Sequence, residues 1–202
     1  DADLPAPTQF LVTLSENMIW ILPTLIVGSI AFMIWWRANK LKDEVRSVVD
    51  RFKLKMPVFG DLFRKVAIAR FSRNFATMMG AGVPVLQSLA VVGETSGNWV
   101  IEEALKKVQD SVRTGNSIAA PLAKEPVFPE MVTQMVAVGE DSGSLEIMLT
   151  KIADFYDEEV QSTAESLTAL IEPIMIGLIG GIIGGMIIAL YMPVFTIFDQ
   201  IN

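Results

Sequence analysis

The sequence predicts an all-α membrane protein with two transmembrane helices and a cytoplasmic six-helix bundle domain. Hydrophobic residues make up 51% of the 202 residues, and they are concentrated in two uncharged blocks, residues 18–36 and 173–195. Between the blocks, apolar residues recur with the spacing of amphipathic helices. No stretch alternates polar and apolar residues for long enough to indicate a strand, and Lys and Arg are confined to the region between the blocks.

The first block, residues 18–36, predicts a transmembrane helix. Its 19 residues carry no charge, and as a helix they would span about 28 Å, close to the thickness of a bilayer core. Tryptophans lie near both ends, as in the aromatic belts of membrane helices. We expect Pro23 in the first turns of this helix. The alternative, a buried core helix, is disfavoured because no face of the segment is polar.

The second block predicts another transmembrane helix, which we place at residues 167–196. Glycines within it recur every four residues in two overlapping registers. This spacing is typical of faces where two membrane helices approach closely, although general glycine enrichment of membrane helices is the alternative. The predicted helix-packing residues are Gly177, Gly180, Gly181, Gly184 and Gly185.

The distribution of Lys and Arg predicts the orientation of the chain. Residues 1–36 contain no basic residue, residues 37–73 contain eleven, and none follows residue 195. Basic residues remain on the cytoplasmic side of membrane helices. We therefore expect segments 1–17 and 197–202 outside the cytoplasm and the middle of the chain inside it.

The middle of the chain divides into a basic linker and a bundle. Residues 37–60 form a basic linker, and residues 37–55 of it are predicted as an amphipathic helix that continues out of the membrane. Its bases either contact anionic lipid headgroups or are simply solvated. Its apolar positions are Leu41, Val45, Val48, Val49 and Phe52. Residues 61–166 form the predicted bundle domain. Turn residues separate its six expected helices, at residues 61–79, 84–92, 98–113, 117–124, 129–138 and 144–172.

The last bundle helix has no stop signal before Glu172, so we expect it to continue into the second transmembrane span. Glu159 falls on the apolar stripe of this helix and is expected either past the edge of the bundle or paired with a base. The predicted buried stripe consists of Leu145, Met148, Leu149, Ile152 and Phe155.

A short motif occurs twice, 46 residues apart. Residues 92–98 read VGETSGN and residues 138–144 read VGEDSGS, with five identities in seven positions. Both would end one helix and start the next, which predicts two similar helical hairpins, unless the recurrence is due to chance. The predicted turn residues are Gly93, Glu94, Gly97, Gly139, Glu140 and Gly143.

Charge is strongly partitioned along the chain. Residues 37–73 have a net charge of +7, and residues 74–202 have −11. Such a dipolar domain favours docking of oppositely charged proteins, whereas an acidic domain disfavours nucleic acid. The candidate partner contacts are Arg64, Arg70, Arg73, Glu159 and Glu172.

The composition argues against an enzyme. The chain has no His and no Cys, which excludes catalytic triads, thiolate nucleophiles and zinc clusters within it. No phosphate-binding glycine loop is present. We expect no cofactor and no metal, and we interpret the acids at positions 154, 157, 158 and 159 as a solvated face rather than a cation site.

Three segments together resemble one protein family: FATMMGAGVPVLQSLAVVGETSGN, PVFPEMVTQMVAVGEDSGSLEIMLTKIADFYDEEV and IEPIMIGLIGGIIGGMIIALYMPVF. In this order they are similar to the inner-membrane platform proteins of type IV pili and type II secretion, over about residues 55–202. The resemblance implies two related cytoplasmic domains and three spans in the whole protein. This chain would be its C-terminal half, with residues 1–17 as a periplasmic loop and 18–36 as the middle span.

The resemblance implies a platform in the bacterial inner membrane that couples a cytoplasmic hexameric ATPase to pilin assembly or extraction. The implied partners are that ATPase, pilin or pseudopilin subunits, other inner-membrane components of the machine, the lipid bilayer and further copies of the protein. The alternative is a subunit of a transporter or channel, in which Glu172 would be an ionisable group within the membrane.

Overall fold

In the computed structural model of the protein, the structure describes residues 6–40 and 42–201, which contain eight α-helices and no strand. The chain divides into two compact units. We call residues 41–167 the helical domain, and the residues up to Lys40 together with those from Thr168 onward the apolar unit. The helices are α1 (Ala6–Asn39), α2 (Asp43–Lys55), α3 (Phe59–Gly80), α4 (Val85–Thr95), α5 (Trp99–Arg113), α6 (Ala119–Leu122), α7 (Glu130–Ser142) and α8 (Leu145–Ile201).

The apolar unit contains the two predicted membrane helices. Helices α1 and α8 are both long and apolar enough to cross a bilayer, and almost none of their most apolar residues are buried inside the protein. Helices of this length that expose so many apolar side chains are stable in lipid and not in water, so the chain is a membrane protein. Thr8 of α1 donates a hydrogen bond from its Oγ1 to the carbonyl of Ala189 on α8 at 2.7 Å.

The position of Pro23 differs from the expectation. Helix α1 begins at Ala6 and not near residue 18, so Pro23 lies in the middle of the helix rather than in its first turns. Proline has no N–H and cannot continue the helical hydrogen-bond ladder at this point. Residues 6–17 are thus part of α1. The apolar pattern did not predict this extension, because these residues are more polar than residues 18–36.

The core of the helical domain is built from α3, α4, α5, α7 and the first part of α8. Phe71 and Phe75 on α3 are fully buried, and the Phe71 ring lies 5.2 Å from that of Phe128, centroid to centroid. Aromatic pairs at this separation add to the stability gained from burial. The large fully buried aliphatic residues around them are Ile68, Leu89, Val92, Ile101, Leu105, Val108, Leu122, Val132, Val136, Leu149 and Ile152.

Helix α2 belongs to the helical domain, whereas the sequence had placed it in a linker. Its Asp50 is only 6% exposed and accepts hydrogen bonds from the Trp99 backbone N–H at 2.9 Å and from Lys53 Nζ at 2.8 Å. The carboxylate thereby satisfies a free N–H in the first turn of α5, where negative charge is favoured. The compact domain therefore begins before the predicted boundary at residue 61 and includes α2.

Helix α8 is a single helix of 57 residues, in agreement with the predicted continuation past Glu172. Its buried stripe differs from the prediction, because Met148 is half-buried and Phe155 is 45% exposed, while Tyr156 is 6% exposed. The stripe continues from Ile152 through Tyr156 at a spacing of four, and this burial raises the pKa of the Tyr156 phenol.

Both predicted turns join consecutive helices, α4 to α5 and α7 to α8. Gly97 and Gly143 adopt left-handed φ angles of 75° and 68°, the conformation that the end of a helix requires and that glycine adopts without strain. Asn98 caps α5 as its sequence position predicts, with its side-chain oxygen accepting from the Val100 N–H at 2.9 Å.

Candidate functional site

Two basic residues of α3 attach that helix to α8. Arg73 Nη2 lies 2.7 Å from Asp154 Oδ1 and 2.7 Å from Asp157 Oδ2. The two aspartates are three residues apart and therefore share one face of α8, so that one guanidinium bridges both. Hydrogen bonds to Asp157 and Asp154 raise the pKa of Arg73. Two acids of the expected solvated face, Asp154 and Asp157, are therefore the partners of Arg73.

The second attachment is Lys65, about two turns before Arg73 on α3. Its Nζ lies 2.9 Å from Asp61 Oδ2 and 2.9 Å from Glu159 Oε2, and it donates to Thr163 Oγ1 at 3.0 Å. Hydrogen bonds to Asp61 and then to Glu159 raise the pKa of the Lys65 ammonium. Of the two alternatives for Glu159, pairing with a base is therefore correct. We call the contacts of Lys65 and Arg73 with α8 the α3–α8 seam.

A third ionic contact joins α2 to α5. Glu102, which is 7% exposed, accepts from Arg46 Nη2 at 2.7 Å and from Lys106 Nζ at 3.0 Å. Burial alone would raise the pKa of Glu102, but the hydrogen bonds from Lys106 and Arg46 outweigh it and lower the pKa. Together with Asp50, this contact explains why a charged helix packs inside the domain.

The two turn glutamates differ in their contacts. The carboxylate of Glu140 accepts from the backbone N–H of Ile118, 2.9 Å from each oxygen, and from that of Ala119 at 3.2 Å. It therefore holds the start of α6 against the end of α7. Glu94 is exposed and has no hydrogen bond or ion pair among residues 6–40 and 42–201.

Of the predicted partner contacts, only Arg70 combines exposure with a cleft. It lies beside a depression of about 290 Å³ lined by Phe63, Val66 and the 96–98 turn, and it makes no ion pair within the part of the chain that the structure describes. Arg64 is half-buried. Arg73 and Glu159 are instead paired within the α3–α8 seam on the surface of the domain, so a partner that binds their charged groups would compete with the seam.

The glycines of α8 have no neighbour in the described chain. A methyl group added at Gly177, Gly180, Gly181, Gly184 or Gly185 would meet no atom within 4 Å. Packing of another helix against them therefore stays a prediction. Glu172 is exposed on the same helix, one residue before Pro173.

The sequence did not reveal Lys65, Asp50 or Glu102 as contact residues. The opposite charges of α3 and α8 were visible, but which base meets which acid depends on how the helices pack. Among the described residues, no three His, Cys, Asp or Glu side chains are placed to hold a metal ion.

Comparison with known proteins shows where this chain has relatives. The family described as type II secretion system protein F matches residues 71–193. Type IV pilus assembly protein PilC is 42% identical over 204 residues in Myxococcus xanthus and 39% identical over 198 residues in Pseudomonas aeruginosa. These alignments cover 100% and 97% of this chain, but 48% and 53% of the relatives.

A protein of the secretion branch is also similar. The type II secretion system protein F of Vibrio cholerae is 31% identical over 191 residues, which is 95% of this chain and 47% of that protein. The chain therefore spans about half the length of the relatives it matches.

Proposed function

Because the chain belongs to the type II secretion system protein F family, we propose that it is part of the inner-membrane platform of a type IV pilus or type II secretion machine. In this role it couples a cytoplasmic hexameric ATPase to the assembly or extraction of pilin subunits. The names of its relatives support a role in such a machine. The eleven bases in residues 37–73 support a cytoplasmic helical domain with both ends of the chain periplasmic.

The coupling proposal is carried by one observation, the continuity of α8 from Leu145 to Ile201. Its first part is fixed in the helical domain by a buried stripe and by the α3–α8 seam. Its later part is one of the two candidate membrane spans. Because α8 has no break in its course, it is the proposed path along which a displacement of the domain by the ATPase reaches the membrane.

An insertion in α8 tests this coupling. Two glycines inserted after Gln161 should abolish pilus assembly or secretion, because they interrupt the helix and rotate its two parts relative to each other. Membrane insertion of the protein should persist. The assay is piliation or substrate secretion in cells that carry the variant as their only copy.

The matched control places the same two glycines after Asn116, in the exposed loop between α5 and α6. This variant should retain function, because surface loops tolerate insertions. Full function of the Gln161 insertion would refute coupling through α8, whereas loss of function in both variants would show that the domain itself is sensitive to insertion.

The glycine face of α8 is the proposed contact with another membrane helix of the machine or with a second copy of the chain. Gly181→Leu should leave folding unchanged, because a Cβ at this position meets no atom of a neighbouring element within 4 Å and the site is exposed. It should nevertheless weaken assembly, since a large side chain prevents close helix approach. Co-purification of machine components and cross-linking between copies measure this, with the exposed Ile182→Leu as control.

A further inference from the structure

Helix α2 packs Leu54 against the core of the domain but also has apolar residues on its outward side. The side that faces the domain carries Asp50 and Arg46, which bond to Trp99 and Glu102. The side that faces outward carries Val48 and Phe52, which are 68% and 66% exposed. Asp50 lies about 160° around the helix from Val48. Two exposed apolar side chains one turn apart on a surface helix are typical of a face that meets a second apolar partner.

Basic residues flank this outward apolar face. Val48 and Phe52 are one turn apart, and two bases, Arg51 and Lys55, lie within about 60° of Val48 on the same side of the helix, together with one exposed acid, Glu44. Both bases are exposed, and the Arg51 guanidinium lies 5.1 Å from the centroid of the Trp99 ring, which holds it beside the face. An apolar stripe bordered by Lys and Arg is the pattern of helices that lie in a membrane interface.

The chain connection keeps α2 close to the bilayer. Helix α1 ends at Asn39 and α2 begins at Asp43, and four residue steps reach at most about 14 Å. The polar headgroup zone begins where the apolar residues of α1 end. Over residues 37–55 seven bases face three acids, so this region is attracted to a negatively charged surface.

We propose that the outward face of α2 inserts Val48 and Phe52 into the headgroup zone of the adjacent leaflet, where Arg51 and Lys55 bind the phosphates of anionic lipids. The contact fixes the helical domain at the membrane surface. It requires that α1 cross the bilayer, and it does not depend on which machine the protein serves.

The absence of cysteine from the chain makes a direct test possible. The full chain carrying Val48→Cys, labelled with an environment-sensitive fluorophore, is reconstituted into nanodiscs of phosphatidylcholine with or without phosphatidylglycerol. Lipids bearing a quencher in the headgroup region then report contact. Val138→Cys is the matched control, because Val138 is likewise an exposed valine on a helix of the same domain.

We expect headgroup quenchers to reduce the emission at position 48 several-fold more than at position 138 in discs that contain phosphatidylglycerol. The difference should shrink when phosphatidylglycerol is omitted, and also when Arg51→Gln and Lys55→Gln are added. Circular dichroism of each labelled protein checks that the domain remains folded.

Equal quenching at positions 48 and 138 would overturn the proposal. So would protection of position 48 from a water-soluble quencher without quenching by lipid, since a protein surface would then cover the face. Quenching that is unchanged by lipid charge and by the two glutamine substitutions would overturn the role assigned to Arg51 and Lys55.

Discussion

The hairpins α4–α5 and α7–α8 share a turn motif but use it differently. Their φ-positive glycines, Gly97 and Gly143, have the same conformation. Their buried glycines differ in available space: a methyl group at Gly93 would lie 3.7 Å from Leu105 Cβ, whereas one at Gly139 would lie 3.0 Å from Leu145 Cα. The α7–α8 hairpin is therefore the more closely packed of the two.

The turn glutamates differ in the same direction. Glu140 binds the backbone at the start of α6, and Glu94 extends into solvent. The turn itself is specified locally, so it recurs with the motif. What each hairpin packs against is specified by other segments, so the same motif makes more contacts in one hairpin than in the other. The more tightly held hairpin is the one whose second helix, α8, continues into the membrane span.

Alanine at the two buried glycines should give the largest difference between the hairpins. Gly139→Ala should lower the free energy of unfolding by about 2 kcal/mol, because its methyl group overlaps backbone that cannot easily move. Gly93→Ala should raise it by about 0.5 kcal/mol, because the site has room and alanine favours the helix. Urea unfolding of the full chain in detergent, followed by circular dichroism, measures both; equal effects would contradict the packing difference.

Removal of the turn carboxylates should give the next largest difference. Glu140→Ala should cost about 1.5 kcal/mol, because the N–H groups at the start of α6 lose their acceptor. Glu94→Ala should change stability by less than about 0.5 kcal/mol, as expected for an exposed residue without partners. The same unfolding assay distinguishes them, and a large effect at Glu94 would show that it has a structural partner.

The φ-positive glycines should behave alike, since this is the feature that the hairpins share. Gly97→Ala and Gly143→Ala should each cost about 1 kcal/mol, because alanine is strained at these φ angles. Gly97→Ala has an additional neighbour, Arg70 Nη1, 3.2 Å from the new methyl group. Since a guanidinium can move aside, we expect only a slightly larger cost, and a cost at one site alone would contradict a common turn.

The smallest effect should be a pH dependence confined to the first hairpin. Glu102 on α5 has a lowered pKa, whereas the corresponding position 46 residues later is Met148. A lowered folded-state pKa gives stability that is present above the unfolded pKa of about 4.3 and lost as the pH falls through the folded value. Glu102→Gln should therefore flatten the acid side of the stability curve, and Met148→Leu should leave it unchanged.

Local signals in the sequence predicted most of the fold. Apolar runs, caps and turn glycines located the helices of the domain, the cap at Asn98 and the continuation of α8 past Glu172. The place of Pro23 in its helix and the packing of α2 into the domain were missed for one reason, since composition alone does not show where a polar segment packs. Residues 6–17 are less apolar than the span they extend, and α2 packs through its charges.

The candidate site was predicted only in part. Charge partition indicated that α3 and α8 attract each other, and the position of Glu159 on an apolar stripe left pairing with a base as one alternative. The partners of Arg73 and Lys65 could not be read from the sequence, because they depend on the rotation of two helices about their axes. The outward face of α2 was likewise hidden, since its apolar residues look like core positions until the packing is known.

Because α8 is one unbroken helix, the angle around its axis between its acidic face and its glycine face is set by the sequence. Each residue turns a helix by about 100°, so the angle between the seam acceptors near Asp157 and the glycine face near Gly181 is determined by the number of residues between them. Adding two residues would shift that phase by about 200°, whereas adding seven would return it to within about 20°. If α8 couples the domain to the membrane as proposed, an insertion of seven residues in α8 should therefore preserve more activity than an insertion of two.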